Sequence, residues 1–166
     1  MSYRTRTYIA ADWDTDGDAV EQLRKWNNSN YWGISFTDAH ELTQARDSSL
    51  NCSIKASLKS RMDCSKCFVL IVGKNTKTVR SGSCQYCMSY TGTAICRRNH
   101  YVNFESYIEY ECKQAIEAGI DIVVLYNAAS IDRSRCPESV RYKGTHVAMK
   151  SGWYSWNYQA VRNAID

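Results

Sequence analysis

The chain has 166 residues and a net charge of +4, with 44% hydrophobic and 23% charged residues. This composition belongs to an ordinary globular protein long enough to bury a core, and the charge is too small and too scattered to argue for a nucleic-acid partner. The longest apolar runs, CFVLIVG and IDIVVLY, are far too short to cross a bilayer, and the opening MSYRTRTYIAADWD lacks a secretory signal pattern, so a cytoplasmic protein with no membrane partner is expected.

In chain order, TRTYIAAD reads as a first strand. Asp16 is then a candidate N-cap for a helix burying Ala19, Val20, Leu23 and Trp26. YWGISFTD reads as a second strand running into the polar loop TDAHELTQARDSS. Leu50, Ile54, Leu58 and Met62 recur every four residues, the mark of an amphipathic helix. CFVLIVGKNT is an unbroken apolar run of the kind buried on both faces of a sheet. A helix is expected from an N-cap at Asn103 to a stop at Gly119, followed by a second doubly buried strand, IDIVVLYNA. THVAMK reads as a fifth strand, and Ser155 as the cap of a last helix carrying Trp156, Ala160, Val161 and Ile165.

Strands alternating with helices imply right-handed crossovers and a parallel sheet covered on both sides. The expected architecture is α/β, a flavodoxin-like five-stranded parallel sheet of order 2-1-3-4-5. Residues 1–166 form one domain in this reading. Ligands of such sheets bind beyond the carboxyl ends of the strands, at the switch point between the first and third.

Eight cysteines in a chain without an export signal are expected to be reduced thiols. Cys52 and Cys112 fall on apolar helix faces, where a thiol acts as a small core residue, and Cys136 precedes the only proline with no role assigned. Residues 74–102 form a Cys-rich insertion between the third strand and the following helix, too long for an unstructured connection. Within it Cys84 and Cys87 make a C-x2-C knuckle, and Cys96 and His100 a C-x3-H pair. Three thiolates and an imidazole suit tetrahedral zinc, and four protein ligands leave no open position, so the expected role is structural. Cys64 and Cys67 offer a second C-x2-C, rejected because Cys67 opens a buried strand.

The segment YIEYECKQAIEAGIDIVVLY brings a helix straight into a strand, with Glu105, Glu109, Glu111 and Glu117 crowding the helix. At 100° per residue Ile108, Cys112, Ala115, Ile116 and Gly119 share one face. Glu117 points away from it, whereas Glu109 and Glu111 flank it on its two sides. The helical wheel does not choose between them.

The ordered set YIAADWDTD, SIKASLKSRMDCSK, CFVLIVGKNT and IEYECKQAIEAGIDIVVLYN, with Tyr107 four residues before Glu111, resembles the TIR (Toll/interleukin-1 receptor-like) domains, most of all the TIR-like proteins of bacterial Thoeris antiphage systems. The resemblance covers roughly residues 5–128. In enzymatic TIR domains a glutamate at this helix position is needed to cleave NAD at its nicotinamide–ribose bond, and the match puts that role on Glu111. Tyr107 stands where tryptophan is commoner. The resemblance implies NAD as substrate and an NAD glycohydrolase or ADP-ribosyl cyclase activity. It also implies assembly with itself or other TIR-like subunits, and a nucleotide signal to a downstream effector.

Asp12 and Trp13 leave the first strand at its carboxyl end, where Trp13 either stacks on the ligand or packs on the next helix. Asp38 and His40 follow the second strand, in the loop that covers the ligand in TIR relatives. With Tyr107, Asp12, Trp13 and Asp38 form the candidate NAD-binding set. Two other readings remain: a nucleoside deoxyribosyltransferase-like enzyme with a glutamate nucleophile, and a non-catalytic TIR-like adaptor.

Overall fold

The computed structural model describes residues 6–29, 36–38 and 50–166. Along them run β1 (Arg6–Ala10), α1 (Trp13–Asn28), β2 (Phe36–Asp38), α2 (Asn51–Asp63), β3 (Ser65–Val72), α3 (Tyr107–Ala118), β4 (Asp121–Tyr126), β5 (Thr145–Ala148) and α4 (Tyr158–Ile165). The strands are joined in the order β2-β1-β3-β4-β5, and every pairing is parallel. The α/β class and the parallel sheet thus follow the sequence reading. Both long apolar runs lie inside the sheet, β3 between β1 and β4, and β4 between β3 and β5.

Side chains alternate across each strand, and the two faces build two cores. Tyr8, Phe68, Leu70 and Val124 pack against Ile54, Leu58 and Met62 of α2 and against Ile108, Cys112 and Ala115 of α3. On the other face Ile9, Val69, Ile71 and Leu125 meet Ala19, Val20 and Leu23 of α1 and Val161 of α4. Trp26 closes that second layer by edge-to-face contacts with Tyr158 and Trp156, at centroid distances of 5.3 and 6.3 Å.

Several boundaries differ from the sequence reading, each for a local reason. Asp16 does not start α1. Asp12 precedes the first turn, and Asp16 lies inside the helix at a kink (φ −117, ψ 16), with its side chain buried. α3 begins at Tyr107 rather than near Asn103. Ser106 caps it in a reciprocal capping box with Glu109, while Asn103 turns the chain just before by accepting the Glu105 N–H at 2.8 Å. Gly119 ends α3 in the left-handed conformation (φ 64), as expected. Asn157, not Ser155, caps α4 by accepting the Ala160 N–H. In the second strand, residues 31–35 lie outside the described residues, as do His40 and the rest of the loop to residue 49.

Candidate active site

The four glutamates around α3 have different fates. Glu105 precedes the helix and accepts an ion pair from Lys113 at 3.4 Å. Glu109 is committed twice: Oε2 accepts the Ser106 N–H at 2.9 Å, and Oε1 accepts Nη1 of Arg80 at 2.9 Å. Glu117 is exposed and accepts from Gln114. Glu111 alone is buried, at 4% exposure, beside Ile108, Cys112 and Ala115. Burial, and then the Glu111 carboxylate next to it, push the Cys112 thiol well above the usual range. Burial thus distinguishes Glu111 from Glu109, which the helical wheel alone did not. The signal was present in the sequence, because Ser106 and Glu109 stand in S-x-x-E spacing, which spends Glu109 on the helix start.

Tyr107 sits one turn before Glu111. Its N–H donates to Ser81 O at 2.7 Å, and its hydroxyl donates to Oδ1 of Asn51 at 3.2 Å. Its ring lies against Gly82 so closely that a Cβ there would come within 2.6 Å of it. Burial raises the Tyr107 hydroxyl to about 12. The first turn of α3 is therefore held by α2 and by the segment that enters the helix.

At the carboxyl edge of the sheet, Asp38 ends β2 opposite Ile9 of β1, while Asp12 follows the end of β1 and accepts the Thr15 hydroxyl at 2.7 Å. These two aspartates therefore belong to the ends of neighbouring strands, Asp38 to β2 and Asp12 to the exit of β1. Trp13 packs with the core on the α1 face, and the Arg24 guanidinium lies 4.9 Å from its ring centroid. Tyr107 packs with the core on the opposite face. The structure thus places Asp12 and Asp38 at adjacent strand ends and sets Trp13 and Tyr107 in different layers.

Sequence reasoning missed a polar node at the ends of β3 and β4. Asn127 donates through Nδ2 to Oδ1 of both Asp16 and Asp18, each at 2.9 Å. Gly73 lets Asp16 approach, since a Cβ there would fall 2.0 Å from Oδ1 of Asp16. Desolvation raises the Asp16 carboxyl above its ordinary value; the hydrogen bond from Asn127 opposes the shift, and the charges of Asp12 and Asp18 add to it. No local signal pairs Asp16 with Asn127.

The segment between β3 and α3 holds the C-x2-C and C-x3-H residues. Cys84–Tyr86 forms a short 3-10 turn, with Cys87 N–H donating to Cys84 O at 3.0 Å. Asn99 N–H donates to Cys96 O at 2.9 Å, and Ile95 and Tyr101 pair as an antiparallel bridge. Cys84, Cys87, Cys96 and His100 line one cavity. They are joined there by Cys52, which is half-buried against the cavity rather than a core residue as expected. Among the described residues no group of three or more His, Cys, Asp or Glu stands in metal-holding proximity. Cys67 is buried in β3 with its thiol raised to about 11 by desolvation, in keeping with its exclusion from the metal set. Cys112 and Cys136 are also buried.

Residues 2–81 match the family described as Thoeris protein ThsB, TIR-like domain. That stretch runs from the strand β1 through β3 to the Ser81 that receives the Tyr107 N–H; α3 and Glu111 lie beyond it. No curated protein matches the chain. No helix among the described residues is long and apolar enough to cross a membrane.

Proposed function

We propose that this chain, whose residues 2–81 match the family described as Thoeris protein ThsB, TIR-like domain, cleaves the nicotinamide–ribose bond of NAD with Glu111 as the catalytic carboxylate. One observation carries the reading: of four glutamates around α3, Glu111 alone is withdrawn from water, while the others are spent on surface pairs and a helix cap. A carboxylate is costly to bury, and such groups cluster where chemistry needs them.

Breaking an N-glycosidic bond develops positive charge on the ribose, as in glycoside hydrolysis. A fixed carboxylate in a water-poor setting stabilises that charge without reorganising. Attack by water then yields ADP-ribose, and attack by a nucleophile of the bound molecule itself yields a cyclic ADP-ribose isomer. In the second case the product serves as the nucleotide signal to a separate effector in antiphage defence. Asp12 and Asp38, at adjacent strand ends, are the ligand contacts assigned to the carboxyl edge. Tyr107 shapes the Glu111 side, and Trp13 reaches the ligand by giving up its contact with Arg24. Self-assembly with other TIR-like subunits belongs to the same reading.

The test is incubation of the purified chain with NAD, with and without lysate from phage-infected cells, and identification of products by mass spectrometry. Release of nicotinamide that disappears in Glu111→Gln is expected. NAD left intact under both conditions overturns the reading in favour of a non-catalytic TIR-like adaptor.

A further inference from the structure

The connection from β3 to α3 poses a folding problem that its own side chains do not solve. From residue 84 to residue 105 no residue is buried, and Tyr86, Met88, Ile95, Tyr101 and Phe104 are exposed. The chain nevertheless takes a defined path. The Cys84 turn and the Cys96 turn face one another, and Arg97 N–H donates to Ser89 O at 2.9 Å to join them. Val102 N–H donates to Ala94 O at 2.9 Å to close the second turn. A short segment ordered without an apolar core needs a covalent or metal cross-link to offset its conformational entropy.

We propose that Cys84, Cys87, Cys96 and His100 hold a structural Zn2+ that cross-links the two turns. The geometry behind it is that all four side chains line a single cavity, two from each turn. Both turns present their ligand pairs at zinc-site spacing, C-x2-C and C-x3-H. Among the described residues no three of these groups stand at metal-holding distance from one another, so the proposal requires the two turns to close when metal binds. Three thiolates and an imidazole complete a tetrahedral shell, so the metal carries no open position and no catalytic water. Cys52 stands in the wall from α2 and is not a ligand.

The site has a consequence for the helix it precedes. Cys84 N–H donates to Asn103 O at 2.9 Å, and Ser83 O accepts Nδ2 of Asn51 at 3.0 Å. The cross-link therefore stiffens the chain around Gly82 and Tyr107. The proposal does not depend on NAD cleavage, and its test reads metal rather than activity.

The full chain is purified without chelator and its metal content measured by elemental analysis. Stoichiometric zinc is expected in the wild type and in Cys52→Ser, with loss in Cys84→Ser and Cys96→Ser. To guard against misfolded variants, reduced wild-type protein is stripped of metal and titrated with Co2+. A thiolate-to-cobalt charge-transfer band with tetrahedral visible bands is expected, together with protection of residues 84–102 from proteolysis. Failure of the stripped chain to take up Zn2+ or Co2+ overturns the proposal. Retention of full metal in both Cys84→Ser and Cys96→Ser overturns it too. Loss in Cys52→Ser with retention in His100→Ala overturns the ligand set.

Discussion

Glu109 and Glu111 stand two residues apart on one helix, and replacing each by glutamine separates catalysis from stability. Glu111→Gln keeps the side chain's size and removes a charge that is 4% exposed. A preorganised electrostatic partner of this kind contributes about 3–4 kcal/mol to a transition state, which is a loss of roughly 100- to 1,000-fold in kcat. Glu109→Gln acts on stability instead. Gln retains an acceptor for the Ser106 N–H, but the 2.9 Å ion pair with Arg80 is lost, and with it the negative charge in the first turn of α3. That pair is partly exposed, so its loss costs at most about 1 kcal/mol, with the helix dipole adding about 0.3–1 kcal/mol. The assay is nicotinamide release by chromatography, with thermal unfolding on the same preparations. Turnover lost equally in both variants refutes the assignment to Glu111. Full turnover in Glu111→Gln refutes the carboxylate mechanism.

Other outcomes follow from the packing. Gly82→Ala puts a methyl group into the Tyr107 ring at a backbone φ of +93; left-handed strain and overpacking should together destabilise by about 2–5 kcal/mol, read by denaturant unfolding. Asp16→Asn should stabilise the chain at neutral pH. Its folded carboxyl is raised by desolvation above the ordinary value of 3.8, so its stabilising contribution is complete below that value and is lost as pH rises through the folded pKa. The gain from the substitution should thus grow from pH 3 towards neutrality, and an equal gain at both ends would refute it. Gly73→Ala should cost about 1–3 kcal/mol by driving a methyl group onto the same carboxylate, and Asp16→Ala in the same chain should recover part of that loss.

The sheet was legible because its two inner strands are continuous apolar runs: Phe68 to Val72 and Val123 to Leu125 are buried, while Ile122, read as part of the same doubly buried run, is only partly buried. The helix ends were less so, for a chemical reason. Asn103, Ser106, Asp12 and Asp16 are all residue types whose side chains can accept a backbone N–H, and composition does not say which of two neighbours caps the helix and which makes a turn. For α3 the spacing of Ser106 and Glu109 held the answer. For α1 it did not, since Asp16 is taken inward by Asn127, far away in sequence. Cys52 shows the same limit: its own helix is amphipathic, and only the folding of a distant segment over α2 turns it towards a cavity. Glu111 was named through resemblance, and its burial is what distinguishes it physically from Glu109.

The two ends of the cysteine segment meet. Cys84 N–H donates to Asn103 O at 2.9 Å, so whatever lies between them leaves and re-enters the fold at one point. Closing so narrow a gap takes few residues, and loop length changes the closure entropy only slowly. The stretch 84–103 is therefore a detachable module. A short Gly/Ser turn can replace it, or another small domain can be spliced into its place, without moving β3 or β4. That makes this junction a place to seat a fluorescent reporter facing the first turn of α3.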